Sequence, residues 1–186
     1  MNCTQCKLRS CRDAVACGAE EDIHDYVRER YSSPEEKRLV QAAAALVDNG
    51  RAGMLSRLEE ISEFAASLEY RWIGIAYCFA IEEEAGLVRN YLQTEGFSVS
   101  SVCCTLGGME QRSINSDSTI KSVGCNPIFQ AEQLNREKVD LVVTMGLCLG
   151  HDILLNRHLQ IDSTNLIVKD RTTGHNPIEV IRALQK

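Results

Sequence analysis

The chain has 186 residues, of which 44% are hydrophobic and 25% charged, as is usual for a single globular domain. Its net charge of −6 argues against nucleic-acid binding, which calls for a basic surface, and against attachment to an anionic membrane. Because no apolar run approaches a membrane span and the first residues do not resemble a signal peptide, we expect a cytoplasmic protein that binds neither nucleic acid nor membrane.

Cysteine is the unusual component of the composition. An odd number of cysteines in a chain without a secretion signal disfavours a disulfide framework. The explanations left are metal ligation, redox chemistry and simple burial, because a free cysteine also packs well in a core. There are 9 cysteines, at positions 3, 6, 11, 17, 78, 103, 104, 125 and 148.

The first four cysteines predict a metal site in residues 1–31. They are Cys3, Cys6, Cys11 and Cys17, in a stretch with few core-forming side chains, so a bound metal ion is the simplest way to order it. Cys-x2-Cys is a common zinc-binding spacing, and the later gaps differ from the usual ferredoxin runs. Zinc is therefore favoured over an iron–sulfur cluster, and the alternative is a redox-inert tail.

Residues 32–69 predict a helical hairpin packed on the core. A short helix over residues 19–30 precedes it. The first helix of the hairpin has Ser33 as N-cap, Pro34 as its first residue, a capping box completed by Glu36, and Gly50 at its end. The second helix is predicted over residues 54–68 from its apolar stripe.

Residues 70–186 alternate between strands and helices. Strands are predicted at 70–80, 97–104, 139–146 and 164–170, and helices at 82–96, 126–138, 151–158 and 176–186. A long polar loop separates residues 105–124. This alternation predicts an α/β domain with a mainly parallel sheet of four or more strands and helices on both faces.

The predicted strand ends carry residues that bind soft metals. In open parallel sheets, ligands bind beyond the carboxyl ends of the strands. The residues after the four strands are Cys78, then Cys103 and Cys104, then Cys148 with His151, and finally Lys169, Asp170 and Arg171 with His175. Adjacent strand residues face opposite ways, so we expect only one of Cys103 and Cys104 to face a site. Cys78 fits a core thiol equally well.

Two helices begin with nearly the same phrase, "GCNPI" at 124–128 and "GHNPI" at 174–178. In each, the asparagine is the expected N-cap and the proline the first helical residue. The residue before the cap is Cys125 in one phrase and His175 in the other. Because a helix N-terminus stabilises a thiolate, Cys125 is expected to ionise easily.

The predicted site at the strand ends therefore consists of thiols and imidazoles, which favour zinc or an iron–sulfur cluster over magnesium or calcium. The predicted cofactor ligands are Cys103, Cys104, Cys125, Cys148, His151 and His175. If the site is catalytic, the candidates are Cys125, Cys148, His151, His175 and Asp170. No Gly-x-Gly-x-x-Gly or His-Glu-x-x-His motif is present, which argues against a dinucleotide site or a zinc protease.

Several phrases together resemble a family of functionally uncharacterised, cysteine-rich proteins of anaerobic bacteria and archaea. They are "CTQC" with Cys11, "SVCC" before "LGG", "CNPIFQAEQLN", "GLCLGHD" and "KDRTTGHNP". The resemblance implies metal binding, which is itself inferred for the family from its cysteines, and it supplies no substrate. This chain is poorer in cysteine around residues 12–30 than the family pattern, so the resemblance does not carry the role of fourth N-terminal ligand over to Cys17.

Three functions remain open from the sequence. The first is a metal-binding protein with an N-terminal four-cysteine site and a second Cys/His site at the strand ends, used in redox, sensing or carrier chemistry. The second is a metal-independent thiol redox or sulfur-transfer enzyme, with Cys125 or Cys148 as nucleophile and a histidine as base. The third is a protein-binding module with a structural zinc knuckle. The native metal, the substrate and any redox partner, small molecule or protein, are not specified by the sequence.

Overall fold

The computed structural model describes residues 2–15 and 21–184. Within these residues four parallel strands form one sheet, in the order β2-β1-β3-β4. The strands are β1 (Trp72–Tyr77), β2 (Ser98–Cys103), β3 (Leu141–Met145) and β4 (Ser163–Ile167). The predicted α/β class with a parallel sheet is confirmed.

Helices precede, connect and follow the strands. They are α1 (Glu21–Ser32), α2 (Pro34–Ala45), α3 (Arg57–Ser67), α4 (Glu82–Thr94), the single turn α5 (Gln111–Ile114), α6 (Pro127–Glu137), α7 (Leu149–His158) and α8 (Ile178–Ala183). In the described part of the chain, none of these helices combines the length and the apolar character that a membrane span requires.

The connections place helices on both faces of the sheet. Helix α4 joins β1 to β2, and α6 joins β2 to β3 in the opposite direction across the sheet, so right-handed crossovers put them on opposite faces. Ile73 and Ile75 of β1 are fully buried. Between them, Gly74 lets α6 approach closely, because a Cβ there would lie 2.7 Å from Leu134 Cδ2.

The predicted helical hairpin corresponds to α2 and α3. The Ser33 side chain accepts a hydrogen bond from Glu36 N–H, as expected, but the Glu36 carboxylate pairs with Arg30 instead of completing a capping box. Helix α2 ends at Ala45, short of the predicted Gly50. Helix α3 starts later than predicted, behind a capping box formed by Ser56 and Glu59.

The four strands end side by side. The last residues in register are Cys103, Tyr77, Met145 and Ile167. Backbone hydrogen bonds extend this pairing by one residue: Cys104 N–H to Tyr77 O (2.9 Å), Cys78 N–H to Met145 O (3.1 Å) and Gly146 N–H to Ile167 O (2.6 Å). The residues that follow β1, β2 and β3 are therefore neighbours along one line, which we call the carboxyl edge.

The connection from β2 to α6 is the 105–124 loop. It carries the α5 turn, and an antiparallel bridge between Glu110 and Val123 holds its two halves together. Its ends meet at the carboxyl edge, where Asn126 N–H donates to Cys104 O at 2.7 Å.

Candidate functional site

Two cysteines from different segments meet at the carboxyl edge. The Sγ atoms of Cys104, directly after β2, and Cys125, directly before α6, lie 3.6 Å apart. Cys104 is buried, with 2% of its surface exposed, whereas Cys125 is half-buried. The Phe79 N–H also donates to Cys104 Sγ, at 3.4 Å. The pair thus has one inner thiol and one outer thiol.

Burial raises the pKa of both thiols. At Cys104 this desolvation outweighs the favourable hydrogen bond from Phe79, and at Cys125 it outweighs the hydrogen bond with Cys104. The expectation that the start of α6 makes Cys125 an easily ionised thiol is therefore wrong, because desolvation is the larger effect.

Cys78, directly after β1, is the third cysteine of this edge. Lys169 Nζ donates to its Sγ at 3.1 Å, and its thiol also interacts with Cys104. Burial raises the pKa of Cys78, but the Ala80 N–H and the Lys169 ammonium group overcome this effect and leave the pKa below its ordinary value. The thiol pKa is thus lowered at Cys78, a residue that from its sequence position fits a core thiol equally well.

Cys148 follows β3 and is the N-cap residue of α7. Arg171 donates a hydrogen bond from its guanidinium group to Cys148 Sγ at 3.1 Å. One turn into α7, half-buried His151 has its pKa lowered by burial and by the Arg171 charge. His151 is therefore held in the neutral form that can bind a metal ion.

Lys169 and Arg171, which contact Cys78 and Cys148, both belong to the loop that follows β4, residues 168–175. The Asp170 carboxylate shapes this loop by accepting hydrogen bonds from Thr172 N–H, Thr172 Oγ1 and Thr173 N–H at 2.7–3.2 Å. These bonds, the Thr172 hydroxyl first, lower the pKa of Asp170 to about 2. Asp170 therefore acts here as the anchor of the turn that presents Lys169 and Arg171.

His175 closes the same loop. Its Nδ1 lies 3.1 Å from Val168 O and 3.3 Å from Asp170 N, and its Cε1 would lie 3.7 Å from a Cβ at Gly146. His175 has a positive φ of 71°, so the second "NPI" phrase starts differently from the first. Asn126 caps α6 by accepting from Phe129 N–H, but α8 begins at Ile178 without a side-chain cap, and the predicted N-cap role of Asn176 is wrong.

Cys103 and Cys104 diverge, as the alternation of a strand requires. Cys103 Sγ lies 3.2 Å from Thr105 Oγ1 and interacts with Tyr77, so it is not part of the Cys104–Cys125 pair. Behind the pair, buried Gln130 of α6 donates to Tyr77 O (3.2 Å) and Val102 O (2.7 Å). Its carboxamide thus ties the end of β1 to the end of β2.

The N-terminal cysteines form a separate group. Cys3, Cys6 and Cys11 are exposed and line one surface depression together with Arg9 and Arg12. The Arg9 N–H donates to Cys6 Sγ at 3.4 Å, a contact that a metal-bound thiolate could keep. Cys17, the fourth predicted ligand, lies outside the described residues.

The fold thus brings Cys104, Cys125 and Cys148 to one edge, with His151 and His175 beside them. Cys78, Lys169 and Arg171 were not among the predicted site residues, because Cys78 fits a core thiol equally well and Lys169 and Arg171 fit a solvated turn. Within residues 2–15 and 21–184, no three cysteine, histidine or acidic side chains are already arranged around a common metal position.

Comparisons with known proteins give a family without a known activity. Residues 16–166 match the family described as "Protein of unknown function (DUF1847)". The chain is 37% identical over 181 residues to "Uncharacterized protein MJ0455" of Methanocaldococcus jannaschii, covering 95% of this chain and 91% of that protein. No solved structure matches.

Proposed function

The chain belongs to this family of unknown function, and we propose that it binds zinc or an iron–sulfur cluster through the cysteines of the carboxyl edge. The observation that carries the proposal is the Cys104–Cys125 pair, with Sγ atoms 3.6 Å apart. Two thiolates bound to one zinc ion at about 2.3 Å in a tetrahedral arrangement lie about 3.8 Å apart. The pair therefore already has the spacing of two ligands of one metal ion.

Cys78 and Cys148 are the proposed third and fourth ligands, with His151 as the alternative to Cys148. Four chain segments would then contribute one soft ligand each, which suits zinc or iron and not magnesium or calcium. Lys169 and Arg171, each 3.1 Å from a thiol, fit this set. Four thiolates on one zinc ion give the site a negative net charge, which the side chains of Lys169 and Arg171 would offset.

The chemistry supplied by the bound metal depends on which metal it is. A cluster would supply one-electron transfer, whereas zinc would hold the thiols in a fixed, unreactive arrangement. The residues' own contribution is to exclude water, through the burial of Cys78 and Cys104, and to balance charge. The proposal includes a reducing, cytoplasmic location, where cysteines stay free.

The N-terminal group is proposed as a second, structural metal site. Its support is the common depression lined by Cys3, Cys6 and Cys11 and the N–H donated to Cys6. Cys17 remains the proposed fourth ligand from the sequence.

A metal-independent thiol enzyme is the second candidate, favoured by the contact between Lys169 and Cys78. In that function Cys78 would be the nucleophile, in place of the Cys125 or Cys148 expected from the sequence. Small-molecule or protein redox partners would then supply and remove electrons.

The test is elemental analysis and an absorption spectrum of protein purified without oxygen. We expect wild type to bind metal at both sites. The double variant Cys3→Ser/Cys6→Ser should lose the metal of the N-terminal site, and Cys104→Ser/Cys125→Ser should lose the metal of the carboxyl-edge site. Cys103→Ser is the matched control and should keep full metal content. Unchanged metal in Cys104→Ser/Cys125→Ser would falsify the carboxyl-edge site. If that variant also shows a Cys78 that alkylates rapidly at neutral pH, the thiol enzyme is favoured.

A further inference from the structure

The Cys104–Cys125 pair has a second chemical possibility besides sharing a metal ion. A disulfide needs its sulfurs about 2.05 Å apart and its Cα atoms about 4.4–6.8 Å apart. The Sγ atoms are 3.6 Å apart, and the hydrogen bond from Asn126 N–H to Cys104 O keeps the two backbones adjacent at 2.7 Å. We expect side-chain rotation to supply the remaining approach, from 3.6 Å to about 2.05 Å between the sulfurs.

The neighbouring cysteines have polar partners of their own, although the Cys78 thiol also interacts with Cys104. Lys169 contacts Cys78, Arg171 contacts Cys148, and Thr105 contacts Cys103, each with 3.1–3.2 Å between the polar atom and sulfur. A cation stabilises a thiolate, and forming a disulfide there would leave the cation without its partner. Cys104 and Cys125 are in direct sulfur–sulfur contact at 3.6 Å and, in the described part of the chain, neither sulfur accepts a hydrogen bond from a cation, so this pair is the one best placed to be oxidised.

We propose that Cys104 and Cys125 form a reversible disulfide, and that its formation withdraws two ligands and releases the metal. The release rests on the proposed function, but the disulfide does not. A peroxide is the oxidant class that fits a partly enclosed pair, because it is small. The site would hold its metal under reducing conditions and lose it under oxidising ones.

The order of the two steps follows from burial. Cys125 Sγ, on the half-buried residue, gives up its proton and attacks one oxygen of hydrogen peroxide. The O–O bond breaks, the departing oxygen takes up that proton and leaves as water, and Cys125 becomes a sulfenic acid. Cys104 Sγ, on the buried residue, then attacks the Cys125 sulfur, the S–O bond breaks, and a second water leaves. Two thiols and one peroxide thus give one disulfide and two waters. Where the two sulfurs hold a metal ion as thiolates, two protons from the solvent replace the thiol protons and the metal ion is released. A dithiol reductant reverses the change by thiol–disulfide exchange.

The disulfide is tested by peptide mapping. Reduced wild type is treated with one equivalent of hydrogen peroxide, its free thiols are blocked, and the chain is digested with trypsin. Cys104 lies in the tryptic peptide 90–112 and Cys125 in the peptide 122–136. We expect these two peptides to be linked in wild type and separated again by a dithiol. The link should be absent from Cys104→Ser and from Cys125→Ser.

Cys103→Ser is the control, because Cys103 lies on the same tryptic peptide as Cys104. It should form the link as wild type does. A link that survives in Cys104→Ser but disappears in Cys103→Ser would overturn the assignment, and so would the absence of any linked peptide in wild type.

Metal release is measured in the same samples by elemental analysis after gel filtration. We expect metal to leave the carboxyl-edge site in proportion to the linked peptide. Retention of that metal in fully linked protein overturns the release. If reduced protein holds no metal there while the link forms, the proposed function fails and the disulfide stands. If metal is held and no link forms, this inference fails alone.

Discussion

Lys169 donates a hydrogen bond to Cys78 across 91 positions of the sequence, joining the residues that follow β4 and β1. The contact places a cation against a buried thiol, which would otherwise resist ionisation. We predict that Lys169→Met raises the pKa of Cys78, because desolvation then acts with less opposition. The measurement is a pH titration of thiolate absorbance in metal-free protein, with Cys78→Ser used to identify the signal.

Lys121→Met is the control for this titration, since Lys121 is an exposed residue of the 105–124 loop. It should leave the Cys78 titration unchanged. A Lys169→Met protein that titrates like wild type would show that the ammonium group does not act on the thiol.

Gln130 should contribute to stability through both of its hydrogen bonds. In Gln130→Leu the carbonyls of Tyr77 and Val102 lose a buried donor, so we expect the free energy of unfolding to fall by about 1–3 kcal/mol. Denaturant unfolding checks this. Gln133→Leu is the control on the same helix, where the amide reaches only a partly exposed Glu137, and should change stability by less than about 0.5 kcal/mol. Equal stabilities for both variants would contradict the role of Gln130.

Replacing Gly146 by alanine should change the stability of the protein very differently from replacing Gly150. Gly146 has a φ of +60°, and a Cβ there would lie 2.6 Å from Ile81 Cδ1, whereas a Cβ on Gly150 meets nothing within 4 Å. We expect Gly146→Ala to lower the free energy of unfolding by about 1–3 kcal/mol. Gly150→Ala, inside α7, should be neutral or stabilising by up to about 1 kcal/mol. Thermal unfolding compares them, and a stable Gly146→Ala would mean that β3 can end in another conformation.

The turn anchored by Asp170 should loosen in acid. Its pKa is about 2, below the ordinary value of about 4 for an aspartate. A lowered folded-state pKa stabilises the turn above pH 4, and this contribution is lost as the pH falls from about 4 toward 2. We expect an NMR titration of the carboxyl group to show this low pKa and Thr172→Ala to raise it. Thr94→Ala, which removes a hydroxyl on α4, should not, and an ordinary pKa in wild type would contradict the hydrogen bonds.

The parallel sheet could be predicted from the sequence because β1 and β3 are short apolar runs and all four strands alternate with helical segments. The same pattern indicated that Cys104, Cys125 and Cys148 would meet at one edge, since parallel strands end together. The divergence of Cys103 and Cys104 followed from strand alternation. These features depend only on local periodicity and on the direction of the chain.

The polar contacts of the site could not be predicted in this way. Whether Lys169 reaches Cys78 depends on strand register and on how Asp170 folds its loop, neither of which is visible in a local pattern. The lowered pKa was expected at Cys125 and is found at Cys78, because burial outweighs the helix terminus at one, whereas an N–H donor and a cation outweigh burial at the other. Likewise, Asn176 matches Asn126 in sequence, but the positive φ of His175 redirects the chain before α8.

The 105–124 loop leaves the sheet at Cys104 and returns at Asn126, where one backbone hydrogen bond ties its two ends. The bridge between Glu110 and Val123 closes the segment between these residues into a nearly separate loop. Because closing a longer loop costs little extra entropy, residues inserted near Asp117 should be tolerated without displacing either cysteine. The molecule thus offers an attachment point for a reporter or an added domain directly beside the Cys104–Cys125 pair.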